Sequence, residues 1–235
     1  SMFENCYSLT SVDLSSFNTR ELTSINDLFN NCRSLRRIDI NHFDISKVRD
    51  ISRLFNGCSS LKSVDLSNLN TDTLVHMMSL FNGCISLESV NFKGFNTEKV
   101  TSLYNVFKNC QSLKSLDLSM FDTSSVRDLT STFQNCYSLE SLDLSHFDTE
   151  LVNNLAYAFK DCRSLKYLNV KGFVTSGIRN MDQIFTNCSS LVSLDLSTFD
   201  TTKVTDMTYF FYNCSSLTSL NLAGFKTLNL LRMNY

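Results

Sequence analysis

Nine cysteines, Cys6, Cys32, Cys58, Cys84, Cys110, Cys136, Cys162, Cys188 and Cys214, follow one another at a constant interval of 26 residues. Three residues before each stands a phenylalanine: Phe3, Phe29, Phe55, Phe81, Phe107, Phe133, Phe159, Phe185 and Phe211. Two residues after each is serine and three after is leucine, from Leu9 to Leu217. Four columns that recur nine times without an insertion demand a stack of like units, because a constant period of this size belongs to repeat architectures. A single unit cannot hide its apolar residues; its neighbours must cover them. No change of composition interrupts the period, so residues 1–235 are expected to form one solenoid domain. The first unit opens in mid-coil at Phe3 and the last stops at Tyr235, before the next Phe-x-x-Cys, which suggests a piece of a longer chain.

Within a unit, Leu9, Val12, Leu14 and Phe17 frame a short segment that alternates apolar, polar, apolar, the pattern of a strand with one face inward. Asn18 and Thr19 come next, both able to cap a helix. Leu22, Ile25, Leu28 and Phe29 then fit the apolar stripe of a helix of about three turns, with polar residues 20, 21, 23, 24 and 27 turned outward. The column before each cysteine holds only Asn, Gly or Asp, as at Asn31, Gly57, Gly83, Asn109 and Asp161. Those types tolerate a left-handed backbone and predict a stop there. The expected fold is therefore α/β, nine strand–helix coils with a parallel sheet on one face and short helices on the other. At about 4.8 Å per coil the sheet would run roughly 40 Å. A second aromatic column, from Phe17 and Phe43 to Phe199 and Phe225, joins the first in the core.

Composition narrows function. Formal net charge is −2, so no strong positive field exists to neutralise phosphates and a nucleic-acid partner is not expected. No apolar run reaches the roughly 18 residues of a membrane span. The start lacks a charged segment followed by an apolar one.

Several residues invite chemical readings. The cysteine column could bridge between coils or bind zinc. One thiol per coil gives a line and not a tetrahedron, however, and a cysteine beside Leu and Phe columns behaves as a small buried hydrophobe. Inert, reduced thiols are expected, with no metal and no cofactor. A second row, Asp13, Asp39, Asp65, Asn91, Asp117, Asp143, Asn169, Asp195 and Asn221, points by strand alternation onto the open sheet face. With Ser15, Ser67, Ser115 and Ser141 beside it, it forms a hydroxyl-rich acidic surface for a cationic partner, or a solubility ladder satisfied by serines and water. Arg36, Arg37, Lys93, Lys166, Tyr167 and Lys171 break this pattern, and Tyr and Arg are favoured at binding hot spots. The partner-binding candidates are therefore Asp13, Asp39, Asp65, Asp117, Asp143, Asp195, Arg37 and Tyr167. Tyr104, Tyr157, Tyr209 and Tyr212 read as exposed aromatics on the helical side; Tyr209 and Tyr212, three apart with Phe210 close by, could form a partner patch, with burial against a following coil or capping segment the favoured reading. His42 and His146 share a column but lie four coils apart, about 19 Å, too far for joint catalysis. No Ser-His-Asp set, phosphate loop or paired-carboxylate cleft is visible, so no enzyme is expected.

Residues 107–129, with Phe107, Cys110, Ser112, Leu113, Leu116, Asp117, Leu118, Phe121, Asp122, Thr123, Val126 and Leu129, carry the pattern F-x-x-C-x-S-L-x-S-L-D-L-S-x-F-D-T-x-x-V. In this the chain resembles the BspA-like leucine-rich-repeat proteins, in the subgroup with a 26-residue bacterial surface-protein repeat, over essentially its whole length. The resemblance implies a non-catalytic interaction module at the cell surface or outside the cell, an adhesin or a binder of host or matrix protein or surface glycan. The alternatives are a cytoplasmic scaffold, which the unpaired thiols suggest, and end-to-end self-association. The resemblance supplies no fixed binding site.

Overall fold

The computed structural model describes residues 1–234, and it turns each repeat into one coil of a right-register stack. Three parallel strand pairs form on one face: β1 (Ser63–Asp65) with β2 (Ser89–Asn91), β3 (Ser141–Asp143) with β4 (Tyr167–Asn169), and β5 (Ser193–Asp195) with β6 (Ser219–Asn221). Equivalent residues face one another, Ser63 with Ser89 and Val64 with Val90, so the register equals the repeat. The expected continuous sheet is thus divided into two-stranded pieces.

The expected helices are absent among the described residues; turns and isolated parallel bridges stand in their place. Hydrogen bonding explains the difference. In an α-helix every N–H would turn back to the carbonyl four residues earlier. Here alternate N–H groups leave the coil: Ile25, Asp27, Phe29 and Asn31 donate to the carbonyls of Asp50, Ser52, Leu54 and Asn56. The residues between them, Leu28, Asn30 and Cys32, donate to the carbonyl three residues back. The chain therefore zigzags through tight turns while half its donors bind the next coil. Two columns with positive φ make this possible. One is the foreseen column, from Asn5 (61°) through Gly83 (77°) to Asn213 (59°). The other lies four residues earlier and includes Asp27, Arg53, Asn105, Ser131 and Tyr157, a column in which most residue types give no warning of a left-handed backbone.

The foreseen column also carries an amide ladder. Asn31 donates through Nδ2 to Asn5 Oδ1 at 2.9 Å, and Asn135 to Asn109 at 2.7 Å. Where the column holds glycine, the ladder shifts back one residue: Asn56 donates to Asn30 and Asn82 to Asn56. A Cβ on Gly57 would lie 2.5 Å from Asn31 Oδ1, so a side chain there would have to displace that amide oxygen, and the φ of 71° suits glycine in any case.

The interior is built from the predicted columns. Phenyl rings from Phe3 to Phe211 stack coil upon coil with centroids 5.3–6.0 Å apart and planes within 13°. From Phe43 to Phe199 the second aromatic column is buried too, with Leu69 taking one place, while Phe17 at one end is exposed. Thr19 is no helix cap. Its hydroxyl accepts from the Asp44 N–H at 2.8 Å in the next coil. Thr149 and Thr175 both accept an N–H and donate to a carbonyl across the same step, so a buried threonine column ties the corners together.

Asp27, expected on a solvent face, is only 7% exposed. It pairs with Arg53 of the next coil through two contacts of 2.6 Å. The guanidinium hydrogen bond holds its carboxyl below the usual range, with Asn26 assisting. A depressed carboxylate contributes stability above its unfolded-state value, and that contribution fades as pH falls through the folded value. Asp27→Asn is thus expected to lower stability at neutral pH. The gap to the parent should narrow below about pH 4, as read by urea titrations at several pH values. A gap independent of pH would show that the ion pair contributes nothing through charge.

Candidate docking face

The strand face is assembled one row at a time. In all nine coils the Asp or Asn that ends the strand segment accepts a hydrogen bond from the N–H two residues on. The distances run from 2.9 Å at Asp13–Ser15 to 3.3 Å at Asn169–Lys171. This local turn fixes where the chain leaves the strand, which is why only a short side chain with an acceptor oxygen suits the position. Asp13, Asp39, Asp65, Asp117 and Asp143 are exposed and Asp195 half-exposed. Backbone and hydroxyl hydrogen bonds from the serine two residues on hold Asp13, Asp65 and Asp143 below the ordinary carboxylate range. The serine hydroxyl has the larger part at Asp117 and Asp195.

Beside this row runs another that the sequence reading overlooked. Arg36, Lys62, Glu88, Lys114, Glu140 and Lys166 occupy one column, all exposed and largely alternating in sign. Lys166 reaches Glu140 at 3.0 Å and Lys62 reaches Glu88 at 3.7 Å. Exposed pairs of this kind contribute under about 1 kcal/mol each. Their effect is on the field: the face is a mixed surface with an acidic line, not a uniformly acidic one. Laying the sequence out by its period would have revealed the alternation.

Arg37 and Tyr167, singled out as departures from the pattern, lie where the face opens. A cleft of about 330 Å³ is lined by Ser11, Val12, Asp13, Arg37, Ile38 and Asp39. Another of about 160 Å³ is lined by Tyr167, Leu168, Asn169, Val170, Lys171, Ser193 and Asp195. Tyr167 is 54% exposed, so its ring stands free at the cleft edge.

The other candidates are accounted for by the stack. Cysteines from Cys32 to Cys188 are buried, and Cys6 and Cys214 half-buried; all nine are unpaired thiols. Each from Cys32 onward donates through Sγ to the phenylalanine carbonyl 29 residues earlier, at 3.1–3.3 Å. His42 and His146 each contact a leucine carbonyl of the preceding coil at 2.9 Å and stand edge-on to the next phenylalanine. Tyr209 and Tyr212 meet at right angles, with centroids 5.4 Å apart. Tyr104 is exposed, as the sequence predicts, and Tyr212 is exposed as well, against the favoured reading that a following coil or capping segment covers it. Among the described residues no cluster of three or more His, Cys, Asp or Glu could hold a metal ion. No helix there is long and apolar enough to cross a membrane.

Coils that repeat a strand segment in parallel register around leucine and phenylalanine columns define a leucine-rich-repeat solenoid. The chain belongs to the DUF285 family, described as a Mycoplasma protein of unknown function. The family profile matches residues 1–115, 75–190 and 153–235, which together span the sequence. None of the curated proteins compared with it matches. Among solved structures, a leucine-rich-repeat protein of T. pallidum is similar at 21% identity over 73% of this chain and 72% of that one, with a TM-score of 0.48. A leucine-rich cell surface protein of Faecalibacterium prausnitzii is 17% identical over 85% and 76%, with a TM-score of 0.32. The functional domain of an internalin-type protein, InlJ of Listeria monocytogenes, whose description notes a cysteine ladder, is 16% identical over 93% and 43%, with a TM-score of 0.39.

Proposed function

We propose that this chain is a non-catalytic protein-interaction module that docks a protein or surface glycan on its strand face, as an adhesin-like segment presented at the cell surface. The observation that carries the reading is the coincidence of the two departures, Arg37 and Tyr167, with clefts on a face whose remaining rows are fixed by local hydrogen bonds. Exposed Tyr and Arg at a concavity are side chains on which a partner can anchor. The BspA-like repeat pattern supports the surface location and the adhesive role. Residues 1–235 are taken as one domain, because a continuous core of Phe, Leu and Cys columns runs along the coils.

Binding of the purified chain to immobilised matrix proteins, glycans and host cells tests this. Tyr167→Ser together with Arg37→Ser is expected to weaken capture by about thirtyfold, the scale of a lost hot spot. Asp117→Lys with Asp143→Lys should weaken it further for a basic partner. Full binding by both variants, with loss on altering Arg127 and Arg179 away from the strand rows, would move the contact off this face.

A second reading rests on the thiols. Eight of them are engaged as hydrogen-bond donors to phenylalanine carbonyls, a role only the reduced form performs. Free thiols last best in reducing compartments, which favours an intracellular scaffold. Immunolocalisation on intact against permeabilised cells separates the two.

A further inference from the structure

The breaks in the strand face follow the order of Asp and Asn. Coil-to-coil backbone bonds form from Leu66 to Asn91, from Leu144 to Asn169 and from Leu196 to Asn221, at 2.8–3.0 Å. Those are the three steps at which an Asn follows an Asp: Asp65–Asn91, Asp143–Asn169 and Asp195–Asn221. The equivalent N–H groups of Leu14, Ile40, Phe92, Leu118 and Val170 face Asp39, Asp65, Asp117, Asp143 and Asp195, and make no such bond among the described residues. Charge repulsion alone does not explain this. The steps Asn91–Asp117 and Asn169–Asp195 hold a single carboxylate and are open too.

What the closed steps share is a donor on the later coil. Each Asx oxygen is already taken by the N–H two residues on, which leaves the Asn amide hydrogens free to reach the carboxylate one coil back. The amides of Asn91, Asn169 and Asn221 help to hold the carboxyls of Asp65, Asp143 and Asp195 below their usual range, after the larger effect of the serine two residues on, and Asn41 does the same at Asp65. An Asp on the later coil has no hydrogen to give.

We infer that the Asp/Asn row is a conformational code for the strand face: an Asn one coil after an Asp makes the backbone bond that closes the end of the strand step, and an Asp in that place leaves that bond unmade. The face thus alternates between steps bonded at both ends of the strand segment and steps that lack the bond after the Asx residue, although Arg36 N–H to the Thr10 carbonyl and Glu140 N–H to the Lys114 carbonyl still cross two of the latter. The clefts at Arg37 and at Tyr167 lie on two of the steps that lack this bond, Asp13–Asp39 and Asn169–Asp195. Such zippering belongs to the backbone and does not depend on what docks there.

Native-state amide exchange tests it. In Asn169→Asp the Leu144 N–H is expected to exchange about five- to tenfold faster, the worth of one hydrogen bond, with the Phe107 N–H unchanged as a core reference. In Asp39→Asn the Leu14 N–H should slow by a similar factor and the Ile40 N–H should not change. Asp39→Ala removes the charge without supplying a donor and should leave Leu14 as it is in the parent. Unchanged exchange at Leu144 in Asn169→Asp overturns the inference. Equal slowing of Leu14 in the Ala and Asn variants does so as well, since closure would then need only neutralisation.

Discussion

Phe107→Ala is expected to lower the unfolding free energy by about 3–5 kcal/mol, more than any surface change in the molecule. The ring is fully buried, lies between Phe81 at 6.0 Å and Phe133 at 5.7 Å, and takes Phe92 edge-on at 6.1 Å. Truncation forfeits the transfer free energy of the ring, leaves a cavity that rigid neighbours cannot fill, and removes two stacked contacts and one edge contact, each worth about 0.5–1.5 kcal/mol. The cavity cannot collapse easily, because the coil spacing is fixed by the backbone bonds of Phe107 N–H to Thr132 and of Asn105 N–H to Thr130. Position matters as much as chemistry. In a stack whose stability is summed over neighbours, an interior defect uncouples the coils on either side. Urea unfolding followed by circular dichroism should therefore show a lower midpoint and a broadened or split transition. Phe211→Ala is the comparison. Its ring is only half-buried, stacks on Phe185 alone at 5.6 Å and otherwise meets Phe210, so the loss should be under about 2 kcal/mol with a single transition. Equal losses at the two sites would mean that the ring column is not the continuous support of the fold.

The same contrast shows what could be read from the residues. The 26-residue period, the phenylalanine and cysteine columns and the left-handed column before cysteine were all legible, because each confines every coil to one residue type or, before cysteine, to Asn, Gly or Asp. The helix was not. Leu22, Ile25, Leu28 and Phe29 have helical spacing, yet Leu22 is exposed and alternate N–H groups bind the next coil. Apolar spacing records which side chains face inward and says little about where backbone donors go, and the second left-handed column has Asp or Asn only at Asp27 and Asn105, with Arg53, Ser79, Ser131, Tyr157, Gln183 and Tyr209 in its other places. Thr19 illustrates the limit from the other side: a hydroxyl suited to capping a helix is equally suited to bridging two coils. The Asp row was visible as a row. Its Asp/Asn order drew no reading, since each place has to be compared with the residue 26 positions earlier.

In the native protein the seven interior cysteines, Cys32 to Cys188, are expected to resist a thiol-specific reagent at pH 8, while Cys6 and Cys214, half-buried at the two ends, account for whatever fast labelling occurs. The thiolate is the reacting species, so access and ionisation both count. Burial pushes the Cys32 and Cys214 thiols up to about 11 and Cys136 to about 12, and raises Cys58, Cys84, Cys110, Cys162 and Cys188 as well. A rise of two units from an ordinary thiol leaves about a hundredfold less thiolate at a given pH, before any steric protection. Ionisation would also convert a donor into an anion facing the phenylalanine carbonyl it now binds, 3.3 Å away for Cys110 and Phe81. Stopped-flow labelling should show at most two fast sites in buffer and nine in denaturant, with the remaining seven following the rate at which coils open. The order of labelling under mild urea would then report where the stack yields first, and Phe107→Ala should bring Cys110 and Cys136 forward in that order. Rapid modification of interior thiols in the folded parent would mean that the cysteine column faces solvent and that the coils do not close over it.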